Sequence, residues 1–351
     1  MKRLFNRHFA LSLLPLLFLL SAPGFGQPQL NFPEASPKAI VTQTVGLTEI
    51  TITYHQPAVK GRTIWGELVP YDKVWRAGAN ENTTFHFTDP VKIAGKDLPA
   101  GTYGFHILPN ANDWTLILST VYTGWGSYSY NEKEDALRFK VNPLLGDFKE
   151  RLVYSFEYAT DSTVNAVMQW EKVKIIFPIK VDVHAVVLRH LRNDLRSNHQ
   201  FYWQSWSRAA NYCLQQNINL QEAMTWIDRS INMNENYSNL SVKAGLLKKA
   251  GQEAESVKLQ DKAITLATET ELNTLGYEYL QNQGSTTKAI DIFKLNISRH
   301  PQSWNVYDSL GEAYAKQGEK KLAIKNYNKA LEMVKDETQK VRIKEILAGL
   351  K

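Results

Sequence analysis

The chain of 351 residues contains one cysteine, Cys213, so no internal disulfide can staple it and no cysteine cluster can hold a metal. It also lacks an apolar run long enough to cross a bilayer; the strongest, Leu11–Leu20, is short and is interrupted by Pro15. There is no phosphate loop, no dinucleotide glycine fingerprint, no Gly-x-Ser-x-Gly elbow and no His-Glu-x-x-His spacing. Motifs therefore supply no catalytic residue, no metal and no cofactor. Dense Lys/Arg blocks are absent too. Lys248-Lys249 and Lys320-Lys321 read as solvated helix faces, so no nucleic-acid partner is expected. Cys213, between Tyr212 and Leu214 in a helical pattern, reads as a small buried hydrophobe rather than a nucleophile.

The first 26 residues have a composition of their own. Lys2, Arg3 and Arg7 precede the apolar run, and small residues including Gly24 and Gly26 follow it. This is the pattern of a cleaved secretory signal, with residues 27–35 as a linker. The expected location is periplasmic or extracellular after cleavage near Gly26, with no transmembrane segment in the mature chain. Loss of the three basic residues lowers the formal net charge from +6 to +3. No cysteine sits at the cleavage point, which argues against a lipid anchor.

Residues 36–183 read as strands. Ile50, Ile52 and Tyr54 alternate with threonines, the period of a half-buried strand. Thr83–Thr88, Tyr103–Leu108, Trp114–Ser119, Leu152–Tyr158, Val164–Trp170 and Val173–Val181 read likewise, separated by turn residues such as Gly46, Asp89-Pro90 and Pro99-Ala100-Gly101. Many short strands without helical patterns between them predict an antiparallel β-sandwich or barrel-like domain. A short helix is expected near Asn131–Ala136. The period changes at Asp182–Ala185: Val187, Leu188, Leu191 and Leu195 fall at helical spacing, so 184–201 reads as a linker helix.

From residue 202 onward helix pairs can be laid out. In Trp304–Val334, the positions of Tyr307, Leu310, Gly311, Tyr314, Ala323, Tyr327 and Ala330 resemble a tetratricopeptide (TPR) repeat. Glu269–Pro301 repeats the register with Leu275, Gly276, Tyr279, Ala289 and Phe293, and has one extra residue in its turn around Gly284-Ser285. Ser238–Ala267 and Tyr202–Asn234 keep only the register, and Val341–Leu350 reads as a polar cap. A unit of this kind cannot bury its apolar face alone, so residues 202–351 are expected to form a TPR-like α-solenoid. In such arrays the first helix of each pair lines a groove. That resemblance implies a protein or peptide partner held by Asn273, Tyr277, Asn305, Asp308 and Glu312. Trp203 and Trp206 read as packing for the linker helix, and Trp226 as core.

Three blocks mark the strand half: Tyr54–Arg62 followed by Ile64-Trp65-Gly66, Pro70–Glu81 with Trp75-Arg76-Ala77-Gly78-Ala79-Asn80-Glu81, and Leu98–Tyr103 leading to Trp114. They resemble a bacterial family catalogued as domain of unknown function 2911, found in exported proteins of Bacteroidetes-type bacteria. The resemblance implies a label and a compartment but no mechanism. Arg62, Trp65, Trp75, Arg76, Asn80 and Glu81 are the candidate ligand residues, suited to a small molecule, a glycan or a peptide. The competing reading is a buried Arg76–Glu81 pair with both tryptophans in the core. His86 and His106 each face away from apolar neighbours and could converge if their strands were adjacent, although cross-strand or surface histidines are the better reading. Gly124–Tyr130 reads as a mobile aromatic loop without an obvious base. The function expected from these readings is an exported, non-catalytic binding or scaffold protein of the bacterial envelope. The alternative is an envelope hydrolase acting on glycan or peptide, with Glu81 and Arg76 in its site.

Overall fold

A computed structural model describes residues 32–281 and 285–350; the leader read over 1–26, most of the 27–35 linker and Gly284 of the inter-helix turn lie outside them. The chain divides into two compact units between Val183 and His184.

The first unit holds ten strands in two antiparallel sheets. These are β1 (Lys38–Val45), β2 (Thr48–His55), β3 (Thr83–Phe87), β4 (Val91–Ile93), β5 (Lys96–Leu98), β6 (Gly101–Leu108), β7 (Trp114–Ser119), β8 (Asp135–Val141), β9 (Leu144–Glu157) and β10 (Thr163–Lys180). One sheet runs β1-β2-β3-β6-β7-β8 and the other β5-β4-β10-β9. Both keep their edge strands, so the unit is a sandwich and the barrel alternative falls away. Alternation sets what each strand buries. Ile50, Ile52, Phe85, Phe105, Leu116 and Leu118 point inward from the large sheet. Phe177 and Tyr154 meet them from the small one, with Phe85 and Phe177 centroids 5.8 Å apart and Phe105 and Tyr154 6.2 Å apart.

Two expectations change. Val164–Trp170 and Val173–Val181 belong to one strand, β10, whose pairing with β9 shifts register between Gln169 and Val173. The helix expected at Asn131–Ala136 shrinks to one 3₁₀ turn, Glu132–Glu134, which the Asn131 side chain caps by accepting from the Lys133 amide. Leu137, buried opposite Leu118, then draws the chain into β8.

The second unit is helical. It contains α1 (Val183–Asp194), α2 (Trp203–Gln216), α3 (Leu220–Met233), α4 (Tyr237–Lys249), α5 (Glu253–Leu266), α6 (Glu269–Gln281), α7 (Thr286–Arg299), α8 (Trp304–Gln317), α9 (Lys320–Met333) and α10 (Glu337–Leu350). Small residues let the helices of a pair approach. A Cβ on Gly276 of α6 would stand 2.4 Å from the Phe293 ring of α7. Leu188, Leu195, Trp206, Cys213 and Trp226 share one core cluster, so Trp206 does pack against the α1 segment. Burial pushes the Cys213 thiol up to about 11, which suits an inert core residue. Among the described residues no helix is long and apolar enough to cross a membrane.

Candidate functional site

Sheet register places one row of side chains on the outer face of the large sheet. Phe105 and Ile107 of β6 point into the sandwich, so His106 between them points out. On β7 its partner is Ile117, and the partner of Ile117 on β8 is Arg138. Asn82, just before β3, stands on the other side of His106, its Nδ2 3.3 Å from His106 Nε2. An outward histidine would normally meet water, yet His106 is only 4% exposed. The cover is the 121–130 loop. Ser127 Oγ lies 3.0 Å from His106 Nδ1, and the Tyr130 ring is 5.2 Å from the imidazole. Burial in this closed space holds the His106 pKa down at about 4, so the ring is neutral near pH 7.

Three contacts hold the loop in place. The Trp125 backbone bridges to Glu81. The Tyr130 hydroxyl donates to Asp135 Oδ2 at 2.8 Å and accepts from Arg138 Nη1 at 3.2 Å. Burial raises the Asp135 pKa, with Tyr130 and Arg138 opposing that shift. A small cavity of about 10 Å³ remains beside His106, lined by Asn82, Ser119, Gly126 and Tyr130 among others.

On the other side of Ser127 a cleft of about 200 Å³ opens, lined by Leu68, Lys73, Trp75, Arg76, Ser127 and Tyr128. The block around Arg76 gets there by backbone pairing. The Trp75 amide donates to the Ile107 carbonyl and the Ile107 amide donates back, both at 2.8 Å. Trp75 thus shares the inward side with Ile107, and the next residue, Arg76, comes out beside the loop. Burial lowers the Arg76 pKa, and its Nε is buried with no hydrogen-bond partner among the described residues. Trp125 and Tyr128 at the loop tip are 68% and 86% exposed and stack with centroids 6.2 Å apart.

The structure separates the residues singled out in the strand half. Trp65 and Trp75 join Trp114 and Trp170 in one cluster, with centroids 4.6–5.8 Å apart, so their faces are taken up by packing. Arg62 is exposed and clamps its own loop by donating to the carbonyls of Val59 and Ala58. Asn80 donates to Glu34 Oε2 at 3.2 Å and to the Ser36 carbonyl at 3.3 Å. Glu81 does not pair with Arg76: its Oε2 lies 3.2 Å from His55 Nε2, and its side chain is 67% exposed. The reason is local. Ala77 and Asn80 both adopt left-handed backbone, at φ 53° and 55°, and turn the chain between the two charges. The buried Tyr154 hydroxyl and Thr83 hydroxyl both donate to the Ala77 carbonyl and hold that turn. His86 and His106 do not converge. His86 pairs across to Thr102, four residues before His106, and its Nδ1 lies 2.9 Å from the Thr102 hydroxyl. The Gly124–Tyr130 loop, read as lacking an obvious base, brings Ser127 Oγ to 3.0 Å from His106 Nδ1. Among the described residues no group of three or more His, Cys, Asp or Glu is placed to hold a metal.

In the array, the groove residues recur across successive first helices. Ser309 Oγ donates to Asn273 Oδ1, and the Tyr277 hydroxyl donates to Glu312 Oε2, each at 2.7 Å. Arg342 donates to Asp308 Oδ2 at 2.7 Å. Each bond spans about one repeat, so α6, α8 and α10 are stitched side by side. Asp308, 6% exposed, is an inter-repeat strut rather than an open groove residue. Asn305 is half-buried with no side-chain hydrogen bond among the described residues, and Glu312 is exposed.

An antiparallel β-sandwich followed by a tetratricopeptide-type helical array is the class of protein these two units define. Residues 36–179 match the family described as protein of unknown function (DUF2911), and residues 305–335 match the tetratricopeptide repeat. No curated protein matches the sequence. Similar solved structures include MamA from Desulfovibrio magneticus RS-1, 16% identical, covering 42% of this chain and 82% of that one with a TM-score of 0.28. YrrB, titled a TPR protein with an unusual peptide-binding site, is 17% identical and covers 45% of this chain and 81% of its own, TM-score 0.28. The C-terminal part of a TPR repeat-containing protein from Cytophaga hutchinsonii is 20% identical and covers 43% of this chain and 60% of its own, TM-score 0.30.

Proposed function

We propose that the chain is an exported binding protein of the bacterial envelope, whose helical array engages a protein or peptide partner and whose β-sandwich holds a small anionic ligand in the Arg76 cleft. The observation that carries the first part is the row of first helices α6, α8 and α10, joined at one-repeat spacing by the Asn273–Ser309, Tyr277–Glu312 and Asp308–Arg342 bonds. A row fixed in this way presents Asn305 and Glu312 in a preorganised array, which lowers the entropic cost of docking an extended chain. An asparagine with no protein partner can donate to and accept from a peptide backbone.

For the second part, the support is Arg76, which lines a cleft with Lys73 and Tyr128 and whose buried Nε has no hydrogen-bond partner among the described residues. A carboxylate or similar anion satisfies a guanidinium in a way that a neutral ligand does not. Export rests on the leader read over 1–26.

Photocrosslinking in cells tests the array. A benzoylphenylalanine at position 305 of the full-length chain is expected to trap a discrete partner that the same group at the exposed Lys325 position on α9 does not. Equal products from the two positions would sink the reading. For export, the mature protein recovered from fractionated cells is expected to begin near Gln27, and an intact Met1 start in the cytoplasm contradicts it.

A further inference from the structure

The Ser127–His106–Asn82 arrangement has the parts of a serine nucleophile site. Ser127 Oγ is hydrogen-bonded to a neutral, buried imidazole, and Ser127 is also one of the residues that line the open Arg76 cleft. A nucleophilic serine needs both: a base within hydrogen-bond reach and access for a substrate. The Asn82 amide decides which ring nitrogen is the base. If Nδ2 faces His106 Nε2, the ring proton sits on Nδ1, Ser127 can only accept it, and Asn82 Oδ1 stays buried without a donor. Turning the amide about its own axis lets Oδ1 accept from Nε2–H. Nδ1 then carries a lone pair and accepts the Ser127 proton. The nucleophile role requires this orientation, in which Oδ1 gains its donor and Nδ2 gives up the ring. The other ionisable groups around the ring are Tyr130, Glu134 at the small cavity, and Asp135 and Arg138 in the neighbouring rows on β8.

We propose that Ser127 is the nucleophile of an acyl-transfer centre, with His106 as its base and Asn82 as a positioning residue, hydrolysing esters of acids that bear a second anionic group. In the first step a bond forms between Ser127 Oγ and the ester carbonyl carbon, and the serine proton passes to His106 Nδ1. The ester C–O bond breaks, and His106 returns the proton to the leaving oxygen. A water molecule then attacks the acyl-serine, gives its proton to His106 and releases the free acid, with the proton returning to Ser127. The choice of an anionic acyl group rests on the Arg76 cleft assigned above. The nucleophile does not depend on it.

The test treats the full-length protein with a fluorophosphonate, which captures an activated serine as a Ser–O–P bond while fluoride leaves with the proton. Peptide mapping is expected to find the label on Ser127. Ser127→Ala abolishes it, and Ser238→Ala, at an exposed serine of the helical unit, leaves it unchanged. His106→Gln slows labelling by about 10²-fold or more. Asn82→Leu slows it as well, whereas Asn82→Asp retains it and moves its pH midpoint upward, because a carboxylate stabilises the imidazolium; a purely structural asparagine would not move the midpoint. With wild-type protein alone, labelling falls as the pH drops through about 4, where His106 takes up a proton. No label on Ser127 in folded wild-type protein overturns the proposal, as does a labelling rate indifferent to both His106→Gln and pH. Arg76→Gln separately reports the cleft. It is expected to slow hydrolysis of a p-nitrophenyl succinate monoester by a larger factor than hydrolysis of p-nitrophenyl acetate. Loss of that discrimination alone overturns the anionic-substrate assignment and not the nucleophile.

Discussion

Gly104 faces Asn82 so closely that a Cβ on it would stand 2.3 Å from Asn82 Nδ2, and 2.4 Å from the Val121 carbonyl oxygen. Gly104 lies on the same outer face as His106, so its missing side chain is what lets the 121–130 loop lie on the sheet. Gly104→Ala is expected to lift the start of that loop and to cost about 1–3 kcal/mol, as overpacking against backbone does. Urea denaturation reads the loss, and limited proteolysis should cut within 121–130 in the variant before the wild type.

The buried His106 links stability of the sandwich to pH. Its folded pKa is about 4 against an ordinary 6.5, so between those values the unfolded chain binds more protons. The stability contribution of the neutral ring is present above pH 6.5 and is lost as the pH falls toward 4. The loss amounts to about 3 kcal/mol. Melting of the wild type against His106→Gln across pH 4–7 checks this: the gap between the two should narrow or reverse as the pH drops.

In the array, Gly276 and Gly349 form an internal comparison. A Cβ on Gly276 meets the Phe293 ring at 2.4–2.8 Å, and one on Gly349 meets nothing within 4 Å. Gly276→Ala should therefore destabilise the helical unit by about 1–3 kcal/mol. Gly349→Ala should be neutral or stabilising by a few tenths of a kcal/mol, since alanine is the better helix former. Calorimetry of the two variants separates them.

Asp308 illustrates the opposite pH sign. Burial raises its folded pKa above the usual 3.8, with Arg342 pulling it back. A raised acid pKa means that the folded state binds the extra proton, so its contribution is present at low pH and is lost as the pH rises through the folded value. Removing the counter-charge deepens that loss. Arg342→Ala is expected to cost about 1–3 kcal/mol at pH 7, and progressively less as the pH falls and Asp308 takes up a proton. A deficit independent of pH would show that Arg342 acts only through packing.

The sandwich was largely readable because alternation is a local signal: Ile50, Ile52 and Tyr54 report their own face. The repeats were readable for the same reason, since Gly276 and Gly311 precede Phe293 and Tyr327 by 17 and 16 residues, the difference being the extra turn residue. The site was only half readable. Alternation put His106 on the outer face, but its burial depends on a loop folding back from 15–24 residues further along the chain, and no spacing encodes that. Arg76 and Glu81 read as a pair because only four residues separate them. The left-handed turns at Ala77 and Asn80 send them to different neighbours, and neither residue type advertises such a backbone. The bonds between Asn273 and Ser309 or Asp308 and Arg342 join positions one repeat apart, so the same periodicity that located the groove also hid its internal struts.

The account stands on the 121–130 loop sealing a neutral His106 against Ser127. Nitrogen-15 NMR of the imidazole in the full-length protein tests this most directly. The predicted result is an Nε2–H tautomer that stays neutral on acidification until about pH 4. A His106 ring that titrates near 6.5, as a solvated histidine does, would contradict it.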